Sequence, residues 1–355
     1  APKWTKSEAD GRGKTIGEVT QRIVLASRPE GAPVSANFRL EETERPTPET
    51  GEVLVEVLWL SLDPYMRGRM DAAKSYAAPV ELGATMEGEA VGRVLESRAN
   101  GVSEGDIVSG MFGWASHGVL PGNMVRLVQP SGASIQTALG VLGMPGFTGW
   151  LGLNRIGKPK QGETLVVGAA TGAVGSMVGQ LAKIAGLRTV GVAGGPEKCA
   201  YAVGGLGFDA CIDHHEGDAS DLRNRIAEAA PDGIDIYYEN VGAKTLEAVL
   251  PLMNDHGRIP VCGTIGWYSG VEPGENLLPR AWRAILVKRL TVQGFIILDH
   301  FDQFPAFQTE IAPHVIENRI KYRETVADGL ASAPAAFLEL LKGGNFGKQL
   351  VKVSD

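Results

Sequence analysis

Between Gln21 and about Pro130, apolar positions come in short β-branched or alternating runs at 22–26, 52–60, 88–96 and 106–109, punctuated by Gly and Pro. That pattern predicts a compact β-rich domain, in which a glycine-bearing turn from Gly101 to Asp106 feeds Ile107 and Val108 into the next strand. From about Ser134 the texture changes. Helical stretches are predicted over 135–142 and 147–155, then a strand at 164–168, a helix at 173–185 and a strand at 188–193. The alternation continues through 200–204, 210–212, 222–229, 234–239, 245–252 and 257–262. After a loop rich in Gly, Pro and Tyr at 263–279 come a helix (280–288), a strand (290–297), a helix (304–318) and a tail with segments at 323–326, 333–342 and 348–353. Strand followed by helix at this spacing predicts an α/β architecture, a doubly wound parallel sheet with crossover helices.

Composition narrows the class. The 355 residues, 44% hydrophobic and 21% charged, suit two folded domains with ample core. Glycine is the outlier at 47 residues, roughly twice the usual share, with no Gly-X-Y period, so these glycines are expected at turns and close contacts. The three cysteines, Cys199, Cys211 and Cys262, make neither a disulfide framework nor a Cys-rich zinc site, and suit a reducing, cytoplasmic setting. A net charge of −7 of mixed signs argues against nucleic acid as a partner. No apolar run reaches the roughly 18–20 residues of a membrane helix. The opening stretch to Gln21 has no apolar leader core, and about the first twenty residues are set aside.

The strand at 164–168 runs into Ala169-Ala170-Thr171-Gly172-Ala173-Val174-Gly175 and then a helix. A helix start offers unpaired N–H groups and a positive dipole end, and small residues let a pyrophosphate approach them. Gly172 and Gly175 hold the second and third glycine positions of the dinucleotide fingerprint, with Ala170 at the first. At the tip of the next strand, where an NAD enzyme usually carries an acid, the chain reads Ala193-Gly194-Gly195-Pro196-Glu197-Lys198. Glycines followed by a cation favour NADP(H), with Lys198 as a point charge for the 2′-phosphate. The plainer alternative makes Lys198 a solvated helix-start lysine and Glu197 a capping residue. Catalytic zinc is not expected, because no cysteine precedes Cys199 and none lies in ligand spacing with a His. The pair His214-His215 reads as a surface loop, and no Gly-X-Ser-X-Gly hydrolase elbow is expected after a strand, the run Gly101-Val102-Ser103-Glu104-Gly105 being read as a turn.

The segment Leu60-Ser61-Leu62-Asp63-Pro64-Tyr65-Met66-Arg67-Gly68-Arg69-Met70 closely resembles the signature of the zinc-independent medium-chain dehydrogenase/reductases that reduce activated double bonds. That group contains prostaglandin reductases (leukotriene B4 dehydrogenases), plant alkenal double-bond reductases and bacterial NADPH-dependent curcumin reductases. Further matches in family order are Gly143-Met144-Pro145-Gly146-Phe147-Thr148, the phosphate loop, Tyr238-Glu239-Asn240-Val241-Gly242, the stretch from Cys262 to Tyr268, and Gly344-Asn345-Phe346-Gly347-Lys348. They span nearly the whole chain, and the stretch from Arg22 to Pro29 together with Asp63–Met70 looks most like the curcumin-reductase branch. The resemblance implies a GroES-like substrate domain at 20–130, completed by 321–355, with a Rossmann domain at 131–320 inserted. It also implies a homodimer. Where zinc-containing relatives carry a metal-binding His, Gly88 stands between Glu87 and Glu89. Thr148, Gly172, Ala173, Val174, Lys198, Asn240, Phe295, Ile296 and Asn345, with the backbone at Cys262 and Gly263, fall on the family's cofactor-contact positions. His214 stands where many members place a Tyr that helps hold the 2′-phosphate, so its grip would depend on pH.

The chemistry so implied is hydride delivery to the β-carbon of an enone or enal, with an enolate stabilised by hydrogen-bond donors. Tyr268 is the first candidate donor and the nicotinamide ribose 2′-hydroxyl the second. The α-carbon proton can then come from solvent. Tyr65 is a second polar handle in the pocket, with Trp114, Met144 and Trp267 as candidate apolar walls, though core packing is the first reading of Met144. The alternative reading of either Tyr is an amphipathic residue at the edge of the core. Arg67 and Arg69 are expected as structural or surface cations. Two other readings stay open, a zinc-free NADPH quinone oxidoreductase and an NADPH-binding protein without turnover.

Overall fold

The computed structural model describes residues 19–73, 75–128, 132–271 and 277–354. Nearly all of the first twenty residues, the expected domain limit at 130/131 and positions 272–276 of the long loop lie outside the described residues. The chain forms two domains, one β-rich and one wound on a parallel sheet.

In the first, β1 (Val19–Leu25) pairs antiparallel with β2 (Phe38–Glu44). The larger sheet is built on β3 (Glu52–Ser61), which is followed by the short helix α1 (Met66–Arg69). β4 (Ala90–Ser97) pairs with β3 and with β5 (Ile107–Gly110), β6 (His117–Pro121) pairs with β3, and β7 (Arg126–Leu127) pairs with β5. The sequence pattern misses β2 because Arg39, Glu41, Glu42 and Glu44 hide its alternation, and only Phe38 of that strand is buried. β4 starts at Ala90, two residues later than expected.

The second domain opens with α2 (Met144–Leu151). It continues through β8 (Thr164–Gly168), α3 (Ala173–Ile184), β9 (Arg188–Ala193), α4 (Pro196–Gly204), β10 (Ala210–Asp213), α5 (Ala219–Ala229), β11 (Ile234–Tyr238), α6 (Ala243–Val249), β12 (Met253–Val261), α7 (Leu278–Lys288), β13 (Thr291–Gly294) and α8 (Phe304–Ile316). All pairings in this sheet are parallel, in the order β10-β9-β8-β11-β12-β13. This is the doubly wound dinucleotide-binding order, with its reversal between β8 and β11. β8 is buried along its whole length, as a parallel strand covered on both faces must be. One face of the sheet packs on Phe147, Met177 and Phe307, the other on Ile226, Val249 and Leu250.

Two predicted helices change character. The stretch at 135–142 is helical only as a 3₁₀ turn, Ile135–Leu139, and 147–155 passes from α2 into a π-helical segment, Gly152–Gly157. Gly152, the first residue of that segment, sits where a β-carbon would lie 2.8 Å from Phe295 and closer still to the Tyr238 hydroxyl, so only glycine fits there. The predicted strand at 290–297 is shorter, and every residue of β13 is exposed.

The tail joins the first domain's sheet: β14 (Glu324–Asp328) pairs with β15 (Lys348–Lys352), which runs antiparallel to β3, and α9 (Ala333–Leu341) lies between them in sequence. Phe337 of α9 meets Trp114 edge-on at 5.5 Å, and Phe38 stacks on the same indole at 5.6 Å. Trp114 is fully buried in this cluster, so it is core and not the pocket wall its sequence position suggested. Among the described residues, no helix is long and apolar enough to cross a membrane.

Candidate active site and cofactor cleft

The cleft is formed by the loops that leave the carboxyl ends of the central strands. At the first, Ala169 adopts a left-handed backbone (φ 51°) directly after β8, and Gly172 caps α3 with no side chain bonded to the helix start. The turn is closed by main chain alone, Gly172 N–H donating to Ala169 O at 2.9 Å. A β-carbon on Gly175 would stand 2.3 Å from Ala169 O, so only glycine lets α3 sit this close to the turn. A twelve-residue helix with an uncapped start and no acid in its first turn fits a pyrophosphate at Gly172, Ala173 and Val174.

At the second loop, Gly194 and Gly195 end β9, and Gly195 takes φ 91°, a conformation that disfavours any side chain. Lys198 is half-buried and donates to Gly343 O at 2.6 Å, a contact between α4 and the returning tail. Burial lowers the Lys198 ammonium from its usual range, with Glu197 opposing. His214 lies alongside; burial, then the neighbouring His215, holds its imidazole below the ordinary range.

The third and fourth loops are tied to each other. Glu239 is 2% exposed, and its Oε1 accepts from Tyr237 Oη (2.9 Å), Val241 N (2.7 Å) and Gly242 N (2.8 Å). Its carbonyl accepts from Cys262 N and Gly263 N, at 2.9 and 3.1 Å. Asn240 Nδ2 donates to Gly168 O at 2.9 Å, linking this turn to β8. Glu239 thus sets the backbone on which Asn240, Cys262 and Gly263 are displayed, a part that its place in the motif did not announce. Thr148 donates to Met144 O, and its own carbonyl accepts Tyr238 Oη at 2.8 Å. Burial pushes the Cys262 thiol up to about 12, which disqualifies it as a nucleophile at neutral pH. Phe295 and Ile296 follow β13, half-buried, and Asn345 Nδ2 donates to Gly347 O at 2.7 Å in the returning tail.

Tyr268 follows a 3₁₀ turn, Ile265–Trp267, and its phenol oxygen accepts the Thr264 N–H at 3.4 Å. Burial raises its pKa, so the group is a neutral O–H donor across the physiological range. Trp267 packs on Gly242, where a β-carbon would come within 2.6 Å of the indole.

Tyr65 precedes α1, and its hydroxyl is buried without a partner among the described residues. Burial raises this phenol well above its usual range, with Asp63 next in effect. The turn beneath it is held by a buried ion pair, Lys348 Nζ donating to Asp63 Oδ1 at 3.0 Å and to Leu62 O at 2.7 Å. Arg67 and Arg69 are both buried rather than surface cations: Arg67 pairs with Asp71 at 2.7 Å and donates to Gly31 O, while Arg69 pairs with Glu87 and lies 4.4 Å from the Tyr76 ring centroid. Charge so deep in the domain must be paired, and these contacts supply the partners.

Gly88 occupies the expected metal-ligand position. A β-carbon there would meet Leu60, Trp114 and Met66 at 3.0–3.2 Å, apolar neighbours that offer a cation nothing. Among the described residues, no group of three or more His, Cys, Asp and Glu is placed to hold a metal ion.

Residues 21–128 match the family described as N-terminal domain of oxidoreductase, and residues 173–312 the family described as zinc-binding dehydrogenase. The chain is 51% identical over 337 residues to the NADPH-dependent curcumin reductase of Escherichia coli (strain K12), covering 94% of this chain and 97% of that protein. It belongs to the zinc-independent medium-chain dehydrogenase/reductases. Another relative in this family, the NADP(+)-dependent 2-alkenal reductase of Nicotiana tabacum, is 37% identical over 94% of this chain and 97% of its own. The crystal structure of CurA in complex with NADPH from Vibrio vulnificus superposes with a TM-score of 0.89 at 45% identity, covering 94% of this chain and 99% of that one. The β-rich domain followed by a parallel dinucleotide-binding sheet is the architecture of these oxidoreductases.

Proposed function

We propose that this chain is an NADPH-dependent reductase of the C=C bond of α,β-unsaturated ketones and aldehydes. The observation that carries the reading is the Tyr268 phenol, held neutral beside Gly263, at the end of a strand whose neighbouring loops fit a dinucleotide. Gly172, Ala173 and Val174 would receive the pyrophosphate, and Lys198 with His214 the 2′-phosphate. Thr148, Asn240, Cys262, Gly263, Phe295, Ile296 and Asn345 would line the rest. When bound, NADPH supplies the hydride for the β-carbon. Because the Tyr268 oxygen is the acceptor in its contact with the Thr264 N–H, its own proton is not used there and would bond a substrate carbonyl as negative charge grows on it. Tyr65 would present a second hydroxyl, whose missing partner a bound carbonyl or water can provide. No strong acid is required if solvent protonates the α-carbon. The names of the relatives, drawn from curcumin and 2-alkenals, support the same substrate class.

The fully exposed edge strand β13 and the apolar face of α7 support a homodimer: Trp282 is 68% and Leu286 77% exposed. Domain limits at 20–130 plus 321–355 and 131–320, and a cytoplasmic setting, complete the proposal. An NADPH-consumption panel of enals, cyclic enones, aryl enones and quinones tests it. Turnover of enones but not quinones is the expected result. Turnover of quinones alone favours the quinone oxidoreductase, and tight NADPH binding with no turnover favours a binding protein.

A further inference from the structure

Glu87 and Glu89 flank Gly88, and each holds an arginine that lies over an aromatic ring. On one side Glu87 pairs at 3.1 Å with Arg69, whose guanidinium lies 5.5 Å from the Tyr65 ring centroid. On the other, the buried Glu89 pairs at 3.2 Å with Arg126 of β7. The Arg126 guanidinium reaches the second domain, 4.4 Å from the Phe304 ring centroid and 6.0 Å from that of Phe301. Phe304, at the start of α8, meets Phe147 edge-on at 5.3 Å, and Phe147 directly precedes Thr148. The Glu89 main chain is tied to the turn that carries Tyr65: its carbonyl accepts the Ser61 N–H at 2.9 Å, and the Ser61 hydroxyl donates to Asp63. A series of contacts thus runs from Tyr65 on the substrate side to Thr148 on the cofactor side, through the two acids beside Gly88.

We infer that Arg126 is a positioning residue for the reduction, bracing the Tyr65 wall against the cofactor side of the cleft through Glu89 in one domain and Phe304 in the other. The inference rests on the C=C reductase reading above and adds Arg126 and Glu89 to it. Two demands on this side chain explain its type. A buried carboxylate needs a cationic partner, and among the described residues Arg126 is the one ion-pair partner of Glu89. Burial raises the Glu89 pKa, and Arg126 is the first of the groups that oppose the rise. Packing on a ring needs a flat cation. A guanidinium meets both demands at once, whereas the compact ammonium of a lysine would meet only the first. Hydride transfer requires the donor and acceptor carbons in near contact, so a small shift of one wall of the cleft against the other costs rate before it costs cofactor affinity. Arg126 joins those walls from outside the reacting groups, which makes its signature a fall in kcat at constant NADPH binding.

Steady-state turnover of the best enone of the panel above, a direct NADPH titration and thermal melts test this. Arg126→Met is expected to lower kcat at least about tenfold while the Kd for NADPH stays within about twofold. Arg126→Lys keeps a charge for Glu89 without the flat face, and Phe304→Leu keeps the ion pair without the ring; each should lower kcat at least about threefold. Combining Phe304→Leu with Arg126→Met should cost no more than Arg126→Met alone, because both act through one contact. Combining Glu89→Gln with Arg126→Met removes the buried carboxylate left without a partner, and should recover the melting point but not kcat. Wild-type turnover in Arg126→Lys and Arg126→Met, losses that multiply in the Phe304 double variant, or recovery of kcat together with the melting point overturns the brace and leaves the reductase reading standing. A wild type that turns over no enone of the panel overturns that reading, and the brace with it.

Discussion

The phenol oxygen of Tyr268 lies 3.1 Å from the point where a β-carbon of Gly263 would stand, so the tyrosine rests on bare backbone at the end of β12. The Thr264 N–H, at 3.4 Å, approaches the oxygen as a donor, so the hydroxyl is placed before any substrate arrives. Preorganisation of this kind stabilises developing charge at little cost in rearrangement. Tyr268→Phe is expected to lower enone turnover by more than about tenfold with cofactor affinity unchanged. Steady-state kinetics together with a direct NADPH titration check it; unaltered turnover removes the phenol from the mechanism.

Lys198 presents a different balance, since its ammonium already donates to Gly343 O. Replacing it loses both a contact with the returning tail and a positive charge near the expected 2′-phosphate. Lys198→Ala should raise the Michaelis constant for NADPH several-fold and leave that for NADH nearly unmoved. An equal rise for both cofactors would mean that the lysine serves only the contact between domains.

Glu239 is the buried carboxyl under the cofactor loops. Burial raises its pKa, against the hydrogen bonds from Gly242, Val241 and Tyr237, and its Oε2 is buried without a partner among the described residues. For an acid whose folded value lies above the unfolded one, the stabilising contribution is present below the unfolded value and is lost as pH rises through the folded one. Glu239→Gln keeps an oxygen acceptor and cannot ionise. Thermal melts should therefore show the wild type losing stability more steeply than the variant as pH rises above the ordinary carboxyl range. Parallel curves would mean that Glu239 does not titrate in this way.

Trp282 on α7 is mostly exposed, as is every residue of the edge strand β13. Trp282→Glu, placing a charge in an apolar patch, should shift the protein from dimer to monomer in light scattering after size exclusion while its melting point changes little. A wild type that is already monomeric at micromolar concentration removes this face as the dimer contact.

The winding of the parallel sheet was legible because strands buried on both faces leave uninterrupted apolar runs such as Leu165-Val166-Val167, and the phosphate loop because only small residues fit its turn. Elements whose apolar side is narrow were not. β2 is dominated by charge, and α2 gives way at Gly152 to a π-helical segment packed against Tyr238 and Phe295, residues more than eighty positions away. The candidate site shows the same division. Asn240, Thr148 and Tyr268 could be placed from motifs, whereas the burial of Trp114, the paired charges of Arg67 and Arg69, and the stacking of Arg126 on Phe304 depend on contacts between distant segments.

The edge-on contact of Phe337 with Trp114 carries a consequence for synthesis. The two residues are about 220 positions apart, and β3 must likewise wait for β15. At ordinary elongation rates the first domain therefore spends roughly 10–45 s on the ribosome with one side of its core uncovered, while the inserted domain can complete its own sheet from contiguous chain. The nascent β-rich segment is thus the part of this protein most exposed to chaperones, and truncation anywhere before Phe337 should trap it in that state.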